Sequence, residues 1–325
     1  MNFFRGHSGT AGLALLTLLL LMAGTAAGAY AVPLPEWFAD GELNPIIRLR
    51  LLRMTAALVI GASLSVSGMT FQAVLRNPLA EPFTLGISGG AGVGAALAVL
   101  LGLRAVSWTA MPLAAFAGAL LTLWLVLHLS RGGQRGAENL LLSGVIAGTV
   151  AGSILMYLLS IAQMDELSSI TWWLLGDLQN VPAVMLGPGA AVLLVCTLFL
   201  RWSANGLNAL SLGDSEAWNQ GFDPRRLTRF AVLAASFLAA QTVAMAGIIG
   251  FCGLIVPHLV RRLYGCCHRR IIFPVFFAGA SFLMFCDILS RVVHPERELP
   301  VGVITSLVGG PLFLWLINRR RGNET

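Results

Sequence analysis

Long apolar runs, broken by short clusters of charge and turn residues, set the pattern along the chain. Ten such runs stand out, at about 10–31, 52–73, 84–102, 107–129, 139–162, 183–201, 227–248, 251–264, 272–293 and 300–318. A helix crosses the hydrocarbon core with about 20 apolar residues, and with fewer when it is buried inside a bundle. The eighth run is short and glycine-rich. The pattern predicts an all-α membrane protein with about ten transmembrane helices, built as a single transmembrane domain over 1–325. The first run follows Arg5 and precedes small residues, as a secretory signal would. It is long enough to span and more runs follow, so it reads as the first membrane helix.

Composition sharpens this reading. Of 325 residues, 57% are hydrophobic and 11% charged, against roughly 25% charged in a soluble domain. Too few charges remain to cover a water-facing surface. All 21 basic residues are arginine. A phosphate-binding loop of the G-x-x-x-x-G-K-[ST] kind needs its lysine, so this chain cannot carry one. If its work is driven by ATP, a separate partner subunit hydrolyses it. Cytoplasmic loops hold the excess of positive charge. With both termini inside, fifteen arginines lie inside (Arg5, Arg76, Arg131, Arg135, Arg201, Arg225, Arg226, Arg229, Arg261, Arg262, Arg269, Arg270 and Arg319 to Arg321). Six lie outside: Arg48, Arg50, Arg53, Arg104, Arg291 and Arg297. An odd number of spans would scramble that ratio.

The longest inner loop, about 203–228, holds two helix starts. Asp214 reads as an N-cap with Gly221 as the stop, and Asp223-Pro224 as an N-cap followed by proline at the first helical position. The short helix between them is either a capped connector or a docking element. Asp287 and Arg291 stand four apart and can pair on one helix. Asp287 is the one carboxylate near mid-span, too few for a proton relay. An ion-gradient-driven secondary transporter would need buried ionisable groups at membrane depth, and a membrane enzyme would need clustered chemistry there. Neither pattern is present. Gly61, Gly68, Gly89, Gly90, Gly92 and Gly94 read as close-packing positions. Trp172, Trp173 and Gly176 read as an interfacial belt, with pathway lining as the alternative. Met54, Met69, Met156 and Met164 suggest adaptable apolar walls. Cys196, Cys252, Cys266, Cys267 and Cys286 show no metal-site spacing.

An ordered set of motifs then narrows the class. Arg50-Leu51-Leu52-Arg53 leads into Gly61-Ala62-Ser63-Leu64-Ser65-Val66-Ser67-Gly68 and Gln72. Arg76-Asn77-Pro78-Leu79-Ala80-Glu81-Pro82 and Leu85-Gly86-Ile87-Ser88-Gly89-Gly90-Ala91 follow. Later come Leu210-Ser211-Leu212-Gly213-Asp214, Gly250-Phe251-Cys252-Gly253-Leu254-Ile255-Val256-Pro257-His258 and Glu298-Leu299-Pro300-Val301-Gly302. In this order and spacing, over almost the whole chain, they resemble the FecCD family of iron-siderophore, haem and cobalamin importer permeases.

The resemblance implies a type II ABC importer permease fold in the bacterial inner (plasma) membrane. It implies a homodimer or paralogue heterodimer with its pathway on the two-fold axis, surrounded by membrane lipid. Cytosolic ATPase subunits would dock below, and a periplasmic or lipid-anchored substrate-binding protein above. Arg50, Arg53 and Arg291 match the family's binding-protein docking arginines, whose planar forks suit carboxylates; snorkelling to headgroups is the alternative. Asp214, Ser215, Glu216, Ala217, Trp218 and Gly221 match its ATPase coupling helix. Asn77, Pro78 and Leu79, with Gly136 and Ala137 at the start of the fifth span, match its cytoplasmic gate. That start lacks the hydroxyl residues of some relatives, and Asn77-Pro78 also reads as a plain turn. His258 falls in a motif shared across cargo types, which points to structure rather than haem ligation. No bound cofactor, metal or nucleic acid is expected. The cargo expected is an iron chelate, siderophore or haem, with cobalamin as the alternative.

Overall fold

The computed structural model describes residues 3–28, 32, 37–39, 42–103, 107–130, 136–293 and 298–321. Arg104, Arg131, Arg135 and Arg297, used above to orient the chain, lie outside the described residues. The chain forms α1 (Phe3–Ala26), α2 (Pro45–Val74), α3 (Ile87–Leu100), α4 (Ala110–Leu129), α5 (Gly136–Ile161), α6 (Met164–Leu174) and α7 (Ala183–Trp202). Then come α8 (Ala204–Leu212), α9 (Asp214–Asn219), α10 (Pro224–Ala246), α11 (Cys252–Tyr264), α12 (His268–Val292) and α13 (Val301–Arg321). Each of the ten apolar runs coincides with a helix. By length and composition, seven helices among the described residues can cross a membrane: α1, α2, α4, α5, α7, α10 and α12. Helices α3 and α13 carry shorter apolar stretches. One departure from the all-α expectation is a two-residue antiparallel ladder, β1 (Phe38–Ala39) with β2 (Glu42–Leu43), pairing Phe38 with Leu43.

Local chemistry fixes the helix ends. Asn44 accepts from the Ile46 N–H at 3.0 Å, with Pro45 at the first position of α2. Asp223 accepts from the N–H groups of Arg225 and Arg226 and precedes Pro224, the start read from sequence. Glu166 reaches back to the Gln163 N–H at 2.8 Å to start α6. Gly221, at φ +83°, ends α9 through the Phe222 N–H to Ala217 carbonyl and Gly221 N–H to Trp218 carbonyl bonds, a left-handed stop. Asp214 differs from expectation. The N-cap is Gly213 and Asp214 is the first helical residue, its carboxylate turned to Arg76. Helix α8, in the same loop, was not anticipated.

Helix α2 is the hub. Its apolar window is 89% buried and that of α10 78%, against 17% for α1 and 28% for α5 and α7. The hub packs on α1, α7, α10, α11 and α12. Two glycine crossings make this possible. A Cβ on Gly61 would meet the Gly279 carbonyl of α12, and one on Gly68 would meet the Gly253 carbonyl of α11. Gly90 and Gly94 do the same for α3 against Gly118 and Ala114 of α4. Small residues let membrane helices approach in this way, and hydroxyls add polar glue. Ser67 donates to the Ala235 carbonyl at 2.7 Å, Gln241 to Ser63 at 3.0 Å, and Thr17 meets Ser281 at 2.9 Å.

The loop after α2 is held by side chains rather than by helix. The Gln72 amide donates to the Ala80, Gly253 and Leu254 carbonyls and accepts from Arg261. Burial pushes the Glu81 carboxyl above the usual carboxylate range, partly offset by the Phe251 N–H. A raised folded-state value means the folded chain holds its proton to higher pH than the unfolded chain. This contribution is therefore present below about pH 4.5, the unperturbed value, and is lost as pH rises through the raised value. Glu81→Gln is expected to flatten that decline, read as the thermal midpoint of the detergent-solubilised permease across pH.

Candidate functional site

Two polar clusters mark opposite ends of α2. At the N-terminal end, Arg53 stands two turns into the helix and faces α12. Its Nε donates to Asp287 Oδ1 at 2.6 Å, its Nη1 pairs with Glu298, and its Nη2 lies 3.3 Å from Ser290 Oγ. Asp287 is 0% exposed. Its second oxygen is 3.0 Å from Arg291 Nη2, the expected i, i+4 contact. Arg291 Nη1 donates to the carbonyls of Gly24 and Ala27 at 2.9 and 3.1 Å, and Nη2 approaches Met54 Sδ at 3.2 Å. Glu298 also accepts from Gln179, tying the α6–α7 loop to the approach to α13. Arg50 is half-buried and donates to the Ala26 carbonyl at 2.9 Å.

Arg53 and Arg291 thus share the Asp287 carboxylate, and Arg53 also reaches Glu298. Burying them costs desolvation, which pairing and hydrogen bonding offset. The arrangement divides the predicted docking arginines. Arg291 is 4% exposed and bonded to the end of α1, so it cannot offer its fork to a partner here. It braces α1 and α12 instead. Arg50 and the rim of Arg53 remain at the surface, with exposed Arg48 nearby in sequence. Glu298 and Gln179 received no role from the sequence. The signal for Glu298 was a carboxylate one helix turn before α13, on the side holding three clustered arginines.

At the C-terminal end of α2, α8 and α9 form an elbow. Ala204, Gly206, Leu207, Ala209 and Leu210 bury one face of α8. Helix α9 presents Trp218, 67% exposed, together with Ser215 and Gly221, while Glu216 accepts from Gln220 at 2.7 Å. Ala217 is buried, so of the predicted coupling residues it faces inward and is unavailable to a partner. Asp214 pairs with Arg76.

The predicted gate residues sit at this same end. Asn77 Oδ1 accepts from the Leu79 N–H at 2.9 Å, and its carbonyl from the Ala80 N–H at 3.1 Å. This self-bonded turn holds Pro78 and leaves Leu79 exposed. Gly136 begins α5 and Ala137 is half-buried. The α5 contact with this region runs through Gly144 against Leu85 and Gly148 against Gly86. His258 packs edge-on to Phe313, ring centroids 5.9 Å apart. Trp172 is exposed, and Gly176, at φ +77°, lies against the Ile248 carbonyl. Among the described residues no group of three or more His, Cys, Asp or Glu could hold a metal ion.

The profile described as the FecCD transport family matches residues 14–319. The vitamin B12 import system permease protein BtuC of Klebsiella pneumoniae is 38% identical over 314 residues, covering 96% of this chain and 93% of that one. An uncharacterized ABC transporter permease, YvrB of Bacillus subtilis, is 34% identical over 330 residues, covering 94% and 92%. A solved inward-facing structure, assigned to the metal-chelate type of ABC transporter, superposes with a TM-score of 0.87 at 29% identity, covering 96% and 99%.

Proposed function

The chain belongs to the FecCD transport family, and from that premise we propose that it is the permease of an ATP-driven cobalamin importer. As an ABC importer permease it is a transport subunit, and ATP is hydrolysed by a separate subunit. Cobalamin takes precedence over the iron chelate favoured by motif resemblance alone. The observation that carries this choice is near-full-length similarity to vitamin B12 permeases, 38% with that of Klebsiella pneumoniae and 35% with that of Yersinia enterocolitica.

In this reading the whole chain, 1–325, is one permease domain. It lies in the inner membrane with ten spans and both termini in the cytoplasm, and α3, α11 and α13 supply the three shorter crossings. Two copies, or one copy and a paralogue, enclose the pathway. The Arg76 end of α2 is cytoplasmic, so α9 meets the ATPase. The Arg53 end is periplasmic, and the binding protein meets Arg50 and the exposed rim of Arg53. Asn77, Pro78, Leu79, Gly136 and Ala137 lie beside the cytoplasmic mouth.

The test is uptake of labelled cobalamin into proteoliposomes holding permease, ATPase and binding protein. ATP-dependent accumulation is expected. Accumulation of a ferric siderophore or haem in its place would transfer the assignment to an iron chelate, and uptake on an ion gradient without the ATPase would overturn the ABC reading. Trp218→Ala is expected to weaken the permease–ATPase complex by about tenfold or more, since an exposed aromatic anchor of this kind contributes about 2 kcal/mol at an interface. Copurification at graded ATPase concentration measures it. The permease fold should be unaffected, because the indole already faces outward.

A further inference from the structure

Arg76 follows the last turn of α2. It is one of two non-glycine residues, among those described, with a left-handed backbone, at φ +50°. An L-residue is strained there, and glycine would serve the turn without strain. What the arginine adds is reach. Its Nε–H donates to the Leu210 carbonyl at 2.9 Å, in the last turn of α8, and its Nη2 pairs with Asp214, the first residue of α9. Between these contacts lies Gly213, the joint of the elbow, at φ +142° and ψ 162°. The Leu210 carbonyl also accepts the Gly213 N–H at 3.2 Å, so Arg76 adds a second donor at the tightened last turn of α8. A cation is favoured at that end.

One side chain therefore grips both sides of the α8–α9 elbow, while its own backbone continues from the most buried helix of the bundle. A left-handed residue commonly ends a helix, but a terminus that was merely solvated would not show the two-sided grip. We infer that Arg76 is a strut that passes displacement of α9 into α2. It is a positioning residue, touching neither nucleotide nor cargo. The inference rests on the reading of α9 as the ATPase-docking element.

Arg76→Gly separates the strut from the turn, since glycine keeps φ +50° and loses the grip. In proteoliposomes holding the full complex, cargo delivered per ATP hydrolysed is read with cobalamin, ferric siderophore and haem in parallel. R76G is expected to hydrolyse ATP within about twofold of the unmodified complex yet deliver about tenfold less cargo per ATP, the scale of a typical coupling between sites. Its thermal midpoint in detergent should match the unmodified permease. The exchanged pair R76D/D214R should recover part of the loss that R76D alone shows. Unchanged delivery per ATP in R76G overturns the strut. So does a parallel fall in hydrolysis and delivery with loss of ATPase copurification, because Arg76 would then only shape the docking surface. If the unmodified complex delivers none of the three cargoes on ATP, the transport reading itself fails, and the strut with it.

Discussion

Asp287→Ala is expected to lower the unfolding free energy of the permease by about 3–5 kcal/mol, the scale for removing one partner of a buried ion pair. The carboxylate lies between Arg53 and Arg291 at 2.6 and 3.0 Å and has no exposed surface. Its removal strands two guanidinium groups, one of them 4% exposed. Asp287→Asn keeps the shape and some hydrogen bonding, and should fall between the two. Glu298→Gln should cost less than Asp287→Ala, because water reaches the Glu298 side chain, which is 38% exposed. Denaturation in mixed micelles, followed by tryptophan fluorescence, orders the three variants. Asp287→Ala within about 1 kcal/mol of the unmodified protein would mean that water already solvates the cluster, as for an exposed pair.

The same cluster shows where sequence reading stops. The helices were legible because a bilayer demands long apolar runs, and Asp223-Pro224 was legible because a cap is a local event. The i, i+4 contact of Asp287 with Arg291 is equally local. Which arginine is buried is not. Arg291 is withdrawn from the surface by the Gly24 and Ala27 carbonyls, 267 and 264 positions away, and nothing near Arg291 in the chain announces them. Asp214 has the residue type and place of an N-cap, yet Arg76, 138 positions earlier, takes its carboxylate. Ala217 lies inside the predicted coupling segment but points inward, because a two-turn helix must bury one face on α8 and α10. Helix α8 itself, with Asn205, Gly206 and Asn208, has no strong apolar period to reveal it.

Gly68→Ala is expected to cost about 3 kcal/mol or more, at the upper end for overpacking a core, and Gly68→Val to yield no folded permease. The added Cβ of Gly68→Ala would fall against the Gly253 carbonyl oxygen, carbon and Cα, all main-chain atoms that no rotamer change can move. The crossing is closed from the other side as well. A Cβ on Gly253 would meet Pro82 and, at 2.7 Å, the Leu64 carbonyl. Yield of monodisperse protein and its thermal midpoint read the effect. By contrast Gly152, with nothing within 4 Å of an added Cβ, should accept alanine with little change. A Gly68→Ala protein as stable as the unmodified one would show that α2 and α11 can separate freely.

That crossing also limits how the sequence can drift. Where two side chains meet, one that grows can be accommodated by a neighbour that shrinks, so paired substitutions leave neutral routes open. Gly68 and Gly253 have no such route, since a Cβ on Gly68 would meet the Gly253 main chain and one on Gly253 the Leu64 carbonyl, and a main chain has nothing left to trim. The same holds for Gly61 and Gly279. Second-site revertants of changes at these four positions should therefore be rare, whereas the Arg53, Asp287 and Glu298 charges, carried on side chains, can in principle trade places.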